Sequence, residues 1–545
     1  MISLIFALLK TGVCALSNLR APVVTIHRFA ALLGFIAGGS LCGVAMAADA
    51  PVLTQWGSVT EPVFPAVLCA SLSANLAPVN GSVDSLDTSP ASSSPDTLRI
   101  QRAIDACPSG QAVKLVPGAA GRAAFLSGPL RLSSGVTLWI DKGVTLFASR
   151  KPADYDNGVG TCGTATKLNT KSCLPLIMVK GAANSGIVGD GVIDGRGGSL
   201  ITSGPNTGLR SWWDVAYQNK TSNLNQQNPR LVQVTGGSNF LLYRITLQNS
   251  PNFNVVANGV TGVTAWGLKI LTPSLAYSVK NYACPAGTTP DQLTPATCFT
   301  PDTVKNTDGF DLGQSSNVLL AYSYISTGDD HVAVKSSAAP TTKNLTFAHN
   351  HFFYGHGLSI GSETNGAVSN MTVTDLAMDG YDSANGNGLR IKSDVSRGGT
   401  VSNITYSGVC MRNVAQPLVF DPFYSTATGT LYPNFTGITV QDFHYLGSAK
   451  SKGAKLTFEG YEASGQQNPL VIALDNVVFD GTQPLFSKLA ATHFTLGPRA
   501  VSFSGQIITS SVNDVTVSGA PGNATTVDCT RAFVPLSSVV ADSPI

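Results

Sequence analysis

Five segments of this chain open with an asparagine and continue into a short run of strand-forming residues. They are Asn239-Phe240-Leu241-Leu242, Asn317-Val318-Leu319-Leu320, Asn344-Leu345-Thr346-Phe347, Asn370-Met371-Thr372-Val373 and Asn403-Ile404-Thr405-Tyr406. From Asn317 onward the steps are 27, 26 and 33 residues. A second element recurs between them: Phe310-Asp311-Leu312, Val332-Ala333-Val334, Leu358-Ser359-Ile360, Leu389-Arg390-Ile391 and Leu418-Val419-Phe420. Two or three short strands per 22 to 33 residues, with no helices between them, describe a solenoid of β coils. Each coil pairs in parallel with the next and buries its apolar side chains in a shared core. A propeller needs blades of about 40 to 50 residues, longer than these steps. Asparagine tolerates left-handed backbone geometry and can stack as a hydrogen-bonded ladder. The expectation is an all-β, single-domain parallel β-helix.

One helix precedes the repeats. Ile100, Ala103, Ile104 and Cys107 fall on one face, Asp96 stands at the cap position, and Pro108-Ser109-Gly110 ends the element. It is expected to cover the N-terminal end of the solenoid, where unpaired strand edges would otherwise be open. Residues 75–95 are rich in Ser, Pro, Asn and Asp and read as a loose arm. Before them, Arg28 leads an apolar run that closes in Ala45-Met46-Ala47, the pattern of a cleaved export signal. The expected organisation is a signal peptide over 1–47, an arm or linker over 48–95 and a catalytic β-helix over 96–545.

Composition supports this and excludes other classes. Only 12% of residues are charged, and the net charge is +2, so nothing marks the chain for nucleic acid. Of 10 cysteines, Cys14 and Cys42 lie in the leader. The even remainder in an exported chain points to disulfides. Cys162 with Cys173 and Cys284 with Cys298 are local pairs. Cys69 with Cys107 and Cys410 with Cys529 follow only by elimination. No C-x-x-C occurs, which argues against zinc.

The repeat register also aligns polar residues. Two positions before the triplets stand Asp308, Asp330, His356 and Asn387, with Asp329 adjacent. Equivalent positions in successive coils lie about 4.8 Å apart. The middle of each triplet gives a second column: Asp311, Ala333, Ser359, Arg390 and Val419. A third holds Gly313, Lys335, Gly361 and Lys392. Gathered carboxylates repel one another and raise a carboxyl pKa, so a chain this poor in charge has little structural reason to stack them. Paired acids suit glycoside hydrolysis, and Arg390 and Lys392 suit an anionic sugar.

These residues resemble glycoside hydrolase family 28, the polygalacturonases. The matching motifs are Asn306-Thr307-Asp308-Gly309-Phe310-Asp311, Gly328-Asp329-Asp330, Gly355-His356-Gly357 through Ser362, and Gly388-Leu389-Arg390-Ile391-Lys392. The opening helix and Gly191-Val192-Ile193-Asp194-Gly195 also match, so the likeness runs from about residue 90 to 530. The resemblance implies a right-handed β-helix and inverting, single-displacement hydrolysis of α-1,4-linked galacturonate. It implies Asp329 as general acid, Asp308 and Asp330 as activators of water, and His356 as support for the acid. It implies Arg390 and Lys392 as binders of substrate carboxylate, and Tyr424 as a subsite residue. His331 stands where many members carry cysteine. Residues 273–304 form a long approach to Asp308 that can wall the cleft.

The expected activity is therefore a secreted, internally cleaving polygalacturonase. It would act as a monomer on polygalacturonate or demethylated pectin, without cofactor, metal, nucleic acid or, once the leader is removed, membrane. Terminal attack is the alternative within this class. A pectate lyase using Ca²⁺ and a non-catalytic pectin-binding β-helix are the alternatives outside it. Two further features have plainer readings. His349 and His351 alternate on one strand face, a spacing too sparse for a metal site without further ligands. Trp212-Trp213 reads as packing rather than a sugar platform.

Overall fold

The computed structural model describes residues 49–167, 171–447, 453–510 and 514–545. The export signal expected over 1–47 lies outside the described residues. Among those described, no helix is long and apolar enough to cross a membrane.

Among the described residues, twenty-nine strands form one continuous sheet wound as a right-handed parallel β-helix. Each coil contributes three strands, so the sheet has three faces. The first face carries the triplets, in the predicted register. Phe310 pairs with Val332, Val332 with Leu358, Leu358 with Leu389 and Leu389 with Leu418. The outer residues of each triplet point inward and are fully buried, as in Val332, Val334, Leu358 and Ile360. The period of two then forces the middle residues, Asp311, Ser359 and Arg390, to the opposite side of the strand. Burial of the apolar set fixes this register, because a slip of one residue would turn every core side chain outward.

The second face carries the asparagines. Asn344 donates to Asn317 (3.0 Å), Asn370 to Asn344 (3.2 Å) and Asn403 to Asn370 (2.8 Å). All four adopt φ of +56° to +57°. Asn239 extends a separate stretch by donating to Asn184 at 2.9 Å. Between the two stretches the same column holds Gly262, with φ +83°; a Cβ there would sit 2.7 Å from the Asn239 Oδ1. Left-handed backbone is common to the column, and glycine supplies it where a side chain would not fit.

The helix Thr97–Asp105 buries Ile100 and Ile104 against the first coils. Asp96 does not cap it through its side chain. Its carboxylate instead accepts from the Leu126 N–H (2.7 Å) and from Arg99 (2.6 Å), which ties the helix start to a strand. The segment before the helix is also held. Strand Leu68–Ser73 pairs in parallel with Ala112–Val116 as part of the main sheet. Asp84 and Asp87 grip the fully buried Arg196 at 2.5 and 2.8 Å. Disulfides join Cys69 to Cys107, Cys162 to Cys173, Cys284 to Cys298 and Cys410 to Cys529. At the far end Phe458, Phe486, Phe494 and Phe503 pack edge to face or tilted and close the core. The C-terminal tail returns along the outside, and its Leu536 and Val540 pack with Leu271 and Phe353.

Trp212 and Trp213 are both fully buried in the helix Trp212–Ser222. Trp213 donates to the Ser250 carbonyl (2.8 Å) and meets Tyr277 and Phe299 edge-on. These two Trp side chains are packing, as expected. The 273–304 segment lies against this helix through Tyr277, Ala296 and Phe299.

Candidate active site

Residues before the triplets gather at one end of each first-face strand. Asp308, Asp329, Asp330 and His356 come from three successive coils, and Arg390 and Lys392 from the next. Asp330 is buried and triply held. It accepts from Arg390 (2.5 Å), Lys392 (2.9 Å) and the Ser359 hydroxyl (3.0 Å). Ser359 Oγ also accepts a hydrogen bond from Arg390 Nε–H at 2.9 Å, so it fixes the guanidinium and the carboxylate together. Asp329 pairs with His356 Nδ1 at 3.1 Å, and its other oxygen faces the Asn306 amide at 3.4 Å. Asp308 is buried with one oxygen unpartnered, while the other lies 3.8 Å from Lys335. Lys335 is committed to Asp311 at 2.7 Å.

The electrostatics separate the three acids. Burial, then the charges of Asp329 and Asp311, push Asp308 well above the usual carboxylate range, and Lys335 offsets only part of this. Burial also works against the charged form of Asp329. There His356, Lys392 and Lys220 outweigh it and hold the carboxyl well below its ordinary value. Asp330 is likewise lowered despite burial, by Lys392 and Arg390. Of the three carboxyls, Asp308 is the one whose charged form its surroundings favour least.

The loop that carries His356 is fixed from beneath by His331. This residue is buried, stacks on Phe352 and sits against Gly355, where a Cβ would come within 2.5 Å of its ring. Its Nδ1 accepts from the Gly357 N–H (3.2 Å) and its Nε2 faces the Phe353 carbonyl (3.0 Å). That arrangement selects the neutral Nε2–H tautomer, and burial pulls its pKa down to about 4. Tyr424 stands at the other edge, half exposed, with Lys392 Nζ 5.1 Å from its ring centre.

Every residue anticipated as a site residue thus falls in one cluster. Asn306, Ser359 and Lys335 belong to it as well. They were visible as motif or column members, but nothing in the sequence said which acid each would contact. His349 and His351 do not join it. His349 pairs with Asp375 at 2.6 Å and His351 faces the Ala532 carbonyl at 3.1 Å.

Among the described residues, Asp329, Asp330 and His356 form a group whose donor atoms lie within 4.8 Å of one another. The donor set suits a divalent cation poorly. Both Asp330 oxygens already hold a cationic side chain, and a metal would have to displace them or sit beside two positive charges.

The sequence profile described as glycosyl hydrolases family 28 matches residues 109–483. The chain belongs to that family. A polygalacturonase from Ralstonia nicotianae is 64% identical over 534 residues, 96% of this chain and 100% of its own length. An endo-polygalacturonase from Pectobacterium carotovorum subsp. carotovorum is 41% identical over 388 residues, 71% of this chain and 85% of its own. The solved polygalacturonase from Erwinia carotovora ssp. carotovora superposes with a TM-score of 0.65 at 37% identity, covering 80% of this chain and 98% of that one. As a family 28 member the chain is a glycoside hydrolase, and the acid cluster lies inside the matched span.

Proposed function

We propose that this enzyme hydrolyses the α-1,4-galacturonosyl linkages of polygalacturonate, cutting within the polymer and inverting the anomeric centre. The observation that carries the reading is three carboxylates on adjacent coils beside two buried cations. Arg390 and Lys392 receive a uronate carboxylate, and Tyr424 packs at the edge of that subsite. Asp329 gives its proton to the glycosidic oxygen as the bond from that oxygen to C1 breaks. A water held by Asp308 and Asp330 forms the new bond to C1 from the opposite face and gives up its proton to that pair. His356 orients Asp329 and tunes its acidity. Residues 96–545, together with the strand Leu68–Ser73 that the sheet takes in before them, form the catalytic domain of a monomer, and 1–47 direct its secretion. Relatives named as endo-acting at 41% identity support internal attack.

Asp329 must carry a proton before chemistry although its neighbours hold its pKa down, and the substrate supplies the reason. Its carboxylate draws on Lys392, one of the charges that hold Asp329 down, and adds a negative charge nearby. Both effects raise the Asp329 pKa. A second reading makes Asp308 the donor, and its raised pKa favours it. The two readings separate on a substrate with an activated leaving group, whose departure needs no proton. Asp329→Asn should lose about 10³-fold or more on polygalacturonate yet retain most activity on the activated substrate, while Asp308→Asn stays inactive on both. The reverse pattern would transfer the acid role to Asp308.

A further inference from the structure

The cleft continues past Asp308 toward the N-terminal coils as a cavity of about 700 Å³. Its polar wall is cationic. Arg230 stands in the same column as Asp308, two coils earlier, since Val232 pairs with Val255 and Val255 with Phe310. Lys171 and Lys335 line the same cavity. Its acidic groups are already engaged: Asp311 with Lys335 at 2.7 Å, and Glu363 with Arg397 at 3.6 Å. Among the described residues Arg230 has one side-chain hydrogen-bond partner, the neutral Gln233 at 3.0 Å, and its guanidinium lies 5.2 Å from the Phe253 ring centre. Among the described residues neither Arg230 nor Lys171 makes an ion pair. Burial holds Arg230 below its ordinary pKa, with the charges of Asp311 and Asp308 opposing. A half-buried guanidinium without a carboxylate, aimed into an open cavity, is a site for an anion.

We propose that Arg230 and Lys171 form a second carboxylate-binding subsite for unesterified uronate residues, on the side of the acid cluster opposite Arg390 and Lys392. The proposal rests on the function proposed above and extends it. Arg230 lies about 10 Å before Asp308 along the helix axis, and Arg390 about 14 Å beyond it, at one coil spacing each. A polymer laid along the first face would then be gripped by its charges on both sides of the scissile bond. Such a grip favours attack within the chain and penalises methyl esters, which remove the charge.

The test compares wild type, Arg230→Ala, Lys171→Ala, the double variant and Arg230→Lys on polygalacturonate and on its highly methyl-esterified form. On polygalacturonate each alanine variant should raise KM about tenfold, as expected for one charge-assisted contact, with kcat within about twofold. Arg230→Lys should recover much of the loss. On the esterified polymer the gap between wild type and variants should close. Lys171 is exposed, so its variant keeps the test decisive if Arg230→Ala folds poorly. A double variant with wild-type KM, or a KM penalty equally large on the esterified polymer, would overturn the subsite. An inactive wild type would instead overturn the function on which it rests.

Discussion

Asp330 meets an arginine, a lysine and a serine, whereas Asp308 has one oxygen without a partner in a buried setting. That difference, rather than residue type, sets the two carboxyls apart. Sequence register placed both in one column, but side-chain direction depends on neighbours one and two coils away. It could not show that His356 would turn to Asp329 while Arg390 and Lys392 took Asp330. His331 shows the same limit. In sequence it was only a departure from cysteine; in the fold it holds the Gly357 backbone and the turn that carries His356. Its pKa falls to about 4 on folding, from the ordinary 6.5. The unfolded chain therefore binds the extra proton first, and stability present above pH 6.5 is lost as pH falls toward 4. The full effect is about 3 kcal/mol. Denaturant unfolding across this window should show that slope in wild type and not in His331→Gln. An identical pH dependence in the two proteins would exclude His331 as its source.

The strand triplets and asparagine columns were legible because both follow from one-dimensional rules. Alternation decides which side chains enter the core, and left-handed backbone selects Asn or Gly. The helix 97–105 was legible for the same reason, through its apolar face. Its cap was not, because the Asp96 carboxylate is taken by the Leu126 N–H and the Arg99 side chain rather than by the backbone N–H groups of the helix start. The ladder itself is testable. Asn344 makes one bond to each neighbour and sits at φ +57°. Asn344→Ala loses both bonds and places an alanine in the left-handed region, a cost of about 3 kcal/mol. Asn344→Gly keeps the backbone and should lose about half as much. Equal losses in the two variants, measured by denaturant unfolding, would mean that backbone conformation contributes nothing there.

Across the whole molecule, the segments that flank the solenoid, residues 68–95 and the C-terminal tail, are bound to it in ways that composition did not reveal. A Ser- and Pro-rich stretch reads as loose, yet Asp84 and Asp87 within it neutralise Arg196, whose burial depends on them. The pairing of distant segments is what local sequence omits. The solenoid in turn gives the enzyme an uninterrupted face on which acids and cations spread over six successive coils lie in line, between Arg230 and Lys392. A linear polymer can lie along that face, and the proposed charged contacts on both sides of the acids favour cleavage within the polymer. Time-resolved product sizing from polygalacturonate tests this most directly. A broad series of saturated oligomers from the first minutes, with viscosity falling faster than reducing ends accumulate, is the predicted result. Monomer or dimer alone from the start, or products bearing an unsaturated uronide, would contradict it.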